Sequence, residues 1–216
     1  MVISVEKFGV VYAAVPKAGC SSVKAMLADL VPEAVSDQGG ADREAAHHAA
    51  FQTRRWRGDK LLALPDAFRF TVVRDPVKRL MSVYTDRVVG RNDLYNSRRL
   101  RRQSELPLDP DPDMFFGNIQ RYASLSSVIK HHVFPTSMFT GVDLSLYDKV
   151  YRTNEMAQVA LDLSAHTGVS LSSKHANKSK AKLDFNDLKP ETQDQVRAFL
   201  AEDYDLLSDY FDNPFA

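Results

Sequence analysis

Cysteine is nearly missing from this chain, with Cys20 the single one in 216 residues. One thiol excludes an internal disulfide framework and a multi-cysteine zinc site, and the expectation is a soluble, cytoplasmic protein in a reducing compartment. Long hydrophobic runs are missing too. The longest apolar stretch, Val10 to Val15, falls far short of the roughly 18–20 residues a membrane helix needs. Near the start, Glu6 and Lys7 interrupt the apolar pattern, so nothing there reads as a signal peptide. Net charge is absent, because 28 basic residues balance 28 acidic ones. That removes the global field expected of a nucleic-acid binder. Internal repeats and low-complexity tracts are lacking as well. Hydrophobic residues at 44% and charged residues at 26% match an ordinary globular domain, not a disordered, collagen-like or coiled-coil chain. The length suits one domain and is short for two.

The charges are unevenly placed. Arg54, Arg55, Arg57 and Lys60 form one basic cluster, and Arg91, Arg98, Arg99, Arg101 and Arg102 a second. Lys174, Lys178, Lys180 and Lys182 form a third, and acids dominate from Asp184 to Asp212. Such clusters read as solvated surface or as the footprint of an anionic ligand.

Hydrophobic spacing sets the elements. Phe8 to Val15 is short, apolar and valine-rich, and ends at Pro16, which predicts a buried strand. Val23, Met26, Leu27 and Leu30 recur at helical spacing, with Ser21 or Ser22 as N-cap. The unit repeats downstream. Phe68 to Val73 is a strand, and after Arg74-Asp75-Pro76 a helix carries Val77, Leu80, Met81, Tyr84 and Val88. Residues 91–112 are arginine-rich and end in prolines, which predicts a mobile surface excursion. A helix is expected over Asp113–Ile129, a strand over Tyr147–Arg152 and a helix over Glu155–His166. A loop is expected over 170–183, followed by two closing helices. Strands alternating with helices predict a single α/β domain with a mostly parallel sheet flanked by helices.

The first strand–loop–helix junction reads VPKAGCSSVK, Val15 to Lys24. It has the makings of an anion site. Amides from Gly19 to Ser22 open a helix whose dipole favours phosphate or sulfate. Gly19 allows close backbone approach, Ser21 and Ser22 add hydroxyls, and Lys17 adds a full charge. A Walker A loop places its lysine after the glycines, whereas Lys17 precedes Gly19. An ordinary loop lysine is the competing reading. The second junction, FTVVRDPVKRLMSVY, puts Arg74 at a strand end, where α/β sheets bind ligands. Ser82 follows a little over two helical turns later, so Arg74 and Ser82 can converge on a second phosphate. The alternative pairs Arg74 with Asp75 and leaves Ser82 on a helix surface.

Together the two junctions resemble sulfotransferases that use 3′-phosphoadenosine-5′-phosphosulfate (PAPS). PKAGCSS is similar to their phosphosulfate loop, and RDPVKRLMSVY to their 3′-phosphate motif. The match is closest to the carbohydrate branch, whose loop reads much like PKxGCSxxK. Weaker echoes are His132 to Pro135, DKVYRTNE at 148–155, HANKS at 175–179 and YDLLSDYF near the end. The resemblance implies a P-loop NTPase-like fold and sulfuryl transfer from PAPS to a saccharide or glycoconjugate hydroxyl, with no metal. It implies that Lys17 holds the bridging oxygen and stabilises the departing phosphoadenosine. By the same resemblance Ala18, Gly19, Cys20, Ser21 and Ser22 cradle the 5′-phosphate, and Arg74 and Ser82 bind the 3′-phosphate. Lys178 and Ser179 belong to a late loop closing over the nucleotide, or to a polar turn.

The acceptor hydroxyl needs a base, and histidine is the usual choice. The resemblance to uronyl 2-O-sulfotransferases points to the region of His47 and His48, with His48 first. His131 and His132 are rivals, Glu44 is a carboxylate alternative, and a capping or core role is open for every histidine. Cys20 reads as structural or as a thiol activated by the helix start. Trp56 reads as a packing residue or as a sugar platform. Two alternatives to a sulfotransferase are a P-loop nucleotide kinase or NTPase, and a nucleotide-binding module without turnover.

Overall fold

A computed structural model describes residues 2–35, 43–173 and 182–215. In chain order its regular elements begin with β1 (Ile3–Val5), β2 (Val10–Ala13), α1 (Cys20–Leu30), α2 (Arg43–Ala50) and α3 (Gly58–Leu61). Then come β3 (Phe68–Val73), α4 (Pro76–Val83), α5 (Arg98–Gln103), α6 (Pro112–Gly117), α7 (Ile119–Leu125) and α8 (Ser127–Val133). The last are α9 (Ser137–Thr140), β4 (Lys149–Arg152), α10 (Met156–Thr167) and α11 (Pro190–Leu206). They group into two compact units. One comprises 1–74 with 136–178, the other 75–135 with 179–216.

The first unit holds the whole sheet, in the order β1-β2-β3-β4. β1 pairs antiparallel with β2 (Ser4 opposite Val11), while β2–β3 and β3–β4 are parallel, with Tyr12 opposite Phe70 and Val72 opposite Tyr151. A strand buried on both faces needs no polar alternation, and every residue of β2 is buried. Tyr12, Phe70 and Val72 face Val23 and Leu27 of α1 and Val159 and Leu163 of α10. Val11 and Ala13 face the opposite side, with Leu61, Ala67 and Tyr147. The architecture is therefore α/β, with a mostly parallel four-stranded sheet flanked by helices, as the alternation of patterns predicts.

Several boundaries differ from expectation for local reasons. The first strand starts at Val10 because Glu6–Phe8 form a 3₁₀ turn closed by Gly9 at φ 60°. β1 leaves no signal in the sequence, because three residues carry too little pattern. The helix expected over 113–129 is three helices. Asn118 leaves helical geometry at φ −123°, and Ser126 caps α8 by accepting from the Ile129 amide at 3.3 Å. The two closing helices are one, α11, followed by a turn at 207–210.

The second unit is helical and surrounds Leu80, Phe115, Phe116, Tyr122, Ile129 and Leu200. The segment 91–112 belongs to it and is no free excursion. Leu94, Leu100 and Leu106 are buried in this core, which anchors a stretch whose arginines made it look like solvent-facing loop. Its basic residues Arg98 and Arg99 line a cleft of about 410 Å³ together with Lys130.

Trp56, half-buried in the first unit, packs against glycines. A Cβ on Gly58 or Gly141 meets the indole at 2.8 Å, so the packing role is realised. Gly141 has φ 76° and ψ −178°, a region essentially reserved for glycine. Gly141→Ala therefore combines backbone strain with a clash, and the expected loss is about 2–4 kcal/mol in chemical denaturation. A loss under half a unit of kcal/mol, on the order of an ordinary surface substitution, rules this packing account out.

Candidate functional site

The chain leaves β2 at Ala13 and turns through Pro16–Gly19 before α1 begins. Two positive φ angles make the turn. Gly19, the N-cap of α1, has φ 75°, at no steric cost to glycine. Lys17 has φ 65°, which for a residue with a Cβ costs roughly 1–2 kcal/mol. Strain of this kind persists where neighbours over-determine the backbone, and it clusters at functional sites. Ala18 is fully buried, and its amide donates to Val15 O at 3.3 Å. A Cβ on Gly19 meets the Met156 sulfur at 3.4 Å, so that side of the turn lies against α10. α1 starts at Cys20, whose thiol is half-buried.

Arg74 follows the last residue of β3, and its Nη1 donates to Lys17 O at 3.0 Å. The Arg74 guanidinium is thus held against the backbone of Lys17, in the turn that precedes α1. Asp75 is engaged elsewhere. Its Oδ1 accepts from the Lys78 amide at 2.8 Å as N-cap of α4, and its Oδ2 accepts from Tyr204 Oη at 3.2 Å. Ser82, in the second unit, is buried and donates its hydroxyl to Arg79 O at 2.6 Å. Phosphate oxygens only accept, so Ser82 must exchange that partner to hold one.

The histidines separate clearly. His48 on α2 stands against α1, with Nε2 3.0 Å from Ser21 Oγ and 3.7 Å from Glu44 Oε1. Its Nδ1 lies 2.9 Å from Lys24 Nζ. Ser21 also donates to Glu44 Oε1 at 2.9 Å, and Lys24 donates to Thr53 Oγ1 at 2.8 Å. His47 is the next residue back, about 100° around the helix. In the second unit, His132 Nδ1 lies 2.8 Å from Val128 O and His131 rests against its ring, so those two read as helix-end residues. Lys178 and Ser179 lie outside the described residues.

Lys24 closes the PKxGCSxxK pattern without a role that the sequence assigns to it, and Thr53 carries no signal in the sequence. Lys24 is fully buried, and burial pushes its amine below the usual lysine range while neighbouring Cys20 pushes it up. A signal was present, since a lysine stands between Val23 and Met26 on the inward stripe of α1. A charged group there survives only with partners, and these come from residues far along the chain.

Chemically, the assembled groups are mainly hydrogen-bond donors and cations around a helix start, with one carboxylate and one imidazole beside them. Such a set has the chemistry to hold an anion and to accept a proton near it. Among the described residues no group of three or more His, Cys, Asp or Glu side chains is placed to hold a metal ion. No helix among them is long and apolar enough to cross a membrane. Neither the curated proteins nor the solved structures yield a match to this chain. The Sulfotransferase family model does match, over residues 1–210. That span takes in both junctions and the whole sheet, and the chain belongs to the sulfotransferase family.

Proposed function

We propose that this protein transfers the sulfuryl group of PAPS to a hydroxyl of a saccharide or glycoconjugate, within a single P-loop NTPase-like domain. Family membership supports sulfuryl transfer in general, and the residues support the donor. In the reaction the bond between sulfur and the phosphate oxygen breaks. A bond from sulfur to the acceptor oxygen forms, and the acceptor proton passes to a base. Transfer of a charged group in line is mainly positioning and electrostatics. Lys17 neutralises the charge growing on the leaving phosphate. The 5′-phosphate is cradled by Ala18 to Ser22 largely through their backbone amides, and Arg74, joined by Ser82 once its hydroxyl is released, holds the 3′-phosphate. Lys178 and Ser179 are further candidates for binding the nucleotide. His48, with His47 behind it, and Glu44 are the candidates for moving the proton. No metal takes part.

The observation that carries this reading is the 3.0 Å bond from Arg74 to the Lys17 carbonyl. It sets the Arg74 guanidinium beside the turn that opens α1, where a further cation can serve a donor that carries more than one phosphate. Calorimetry with 3′,5′-diphosphoadenosine, AMP and ATP tests it. The diphosphate is expected to bind at least about tenfold more tightly than AMP, since a charged hydrogen bond contributes about 1.5–3 kcal/mol. Arg74→Ala removes that preference. Equal affinities for the diphosphate and AMP in the wild-type protein overturn the reading. Tight binding with no transfer to any of a panel of saccharides, phenols and lipids points to a module without turnover.

A further inference from the structure

Lys24 is fully buried on α1, yet its Nζ touches two polar atoms, His48 Nδ1 at 2.9 Å and Thr53 Oγ1 at 2.8 Å. With its amine charged, Lys24 has three donors and no lone pair. Both contacts are therefore donations, and Nδ1 accepts. A neutral imidazole carries a single N–H, which is then on Nε2. Ser21 supports the same direction independently. Its hydroxyl has one hydrogen, which goes to Glu44 Oε1 at 2.9 Å. What Ser21 can offer His48 Nε2, 3.0 Å away, is a lone pair. All the links then run one way, from the Lys24 amine through His48 and Ser21 to the Glu44 carboxylate. The opposite tautomer leaves two acceptors, Glu44 and Nε2, competing for one hydroxyl hydrogen, and it also asks the amine to accept.

We propose that Lys24 is a positioning residue that locks His48 in its Nε2–H tautomer. His48 then works as a hydrogen-bond donor, and Glu44 is the group that takes the acceptor's proton. This deepens the sulfotransferase reading and rests on it for the identity of the reaction. The proton inventory is simple. The acceptor hydroxyl loses its proton to a carboxylate oxygen of Glu44, while the Nε2–H of His48 stays in place and donates. A neutral His48 in this tautomer has no lone pair on Nε2 with which to act as a base, because the only one on the ring, at Nδ1, is filled by Lys24.

Nitrogen-15 NMR of the full chain at neutral pH reads the tautomer directly, with His48 assigned by comparison with His48→Gln. The expected spectrum has Nε2 protonated and Nδ1 unprotonated. In Lys24→Met the lock is gone, and the two nitrogens move toward an average of both tautomers. A wild-type spectrum with the proton on Nδ1 overturns the proposal, and this measurement does not depend on any Lys24 variant folding. An unchanged His48 pattern in a folded Lys24→Met also overturns it. The kinetic counterpart separates base from donor. Glu44→Gln is expected to lower kcat about 10²-fold or more, with KM for PAPS within roughly threefold, on the scale of lost general base catalysis. Glu44→Gln at wild-type kcat overturns the assignment of the base. Because the spectrum needs no turnover, its outcome is separate from that of the nucleotide titration, which decides the sulfotransferase reading itself.

Discussion

Lys17→Ala is expected to reduce sulfuryl transfer by about 10²–10³-fold, the loss seen when one charge-stabilising donor is removed from a transition state. Three observations set that size. The side chain leaves a turn that opens directly onto α1, its carbonyl is held by Arg74, and its backbone is kept at φ 65°. Alanine tolerates that φ no better than lysine, so the alanine variant keeps wild-type stability and isolates the loss of charge. Lys17→Gly is the control for the backbone. Glycine enters the left-handed region freely, so this variant is expected to be as inactive as alanine yet more stable by roughly 1 kcal/mol. Initial rates with labelled donor, read beside thermal melts, distinguish the two effects. Turnover within threefold of wild type in Lys17→Ala removes Lys17 from the chemistry. A glycine variant with restored activity shows that the backbone, not the charge, is what matters at this position.

Asp203→Ala carries the largest expected effect on stability, a loss of about 3–5 kcal/mol, because it leaves a buried guanidinium without its anion. Arg79 and Asp203 are 1% and 2% exposed, and Arg79 Nη2 lies 2.9 Å from Asp203 Oδ2. The same guanidinium donates to Phe134 O at 3.0 Å and His132 O at 3.4 Å. One side chain of α4 thus holds α11 and the end of α8, where unsatisfied carbonyls favour a cation. The double variant Arg79→Met/Asp203→Leu is expected to recover most of the loss, since apolar replacement of a buried pair is often neutral or better. Urea denaturation of the three variants tests this. A loss under about 1 kcal/mol in Asp203→Ala, the scale of an exposed pair, would show that the bridge contributes little.

Arg79 also shows how a motif can be legible while its parts are not. In the sequence it sits between Arg74 and Ser82 in RDPVKRLMS, and its residue type alone does not set it apart from Arg74. Folding divides them. Arg74 meets the Lys17 carbonyl, Arg79 is taken by Asp203, and Ser82 bonds its own helix. Spacing says which residues share a helix face. It does not say which partner, 124 positions away in the case of Asp203, will occupy that face.

The segment 91–112 gives the same lesson for packing. Its arginines and prolines suggested a solvent-exposed excursion, but three separated leucines sufficed to seat it in the helical core. Leucines spaced that widely fit neither the period of a helix nor that of a strand, so no pattern announces their burial.

By itself the sequence determined everything that depends on near neighbours. Apolar runs made β2 and β3, Gly19 made the turn possible, and Asp75 with Pro76 started α4. Those local features already put a glycine-opened helix start after one strand and a cation after the next. Tertiary structure alone decided the direction of the proton chain. Lys24 and His48 are 24 residues apart, and Ser21 and Glu44 are 23 apart. Which atom of an imidazole carries hydrogen is set by the groups that face it, and those groups meet only when α2 comes to rest against α1.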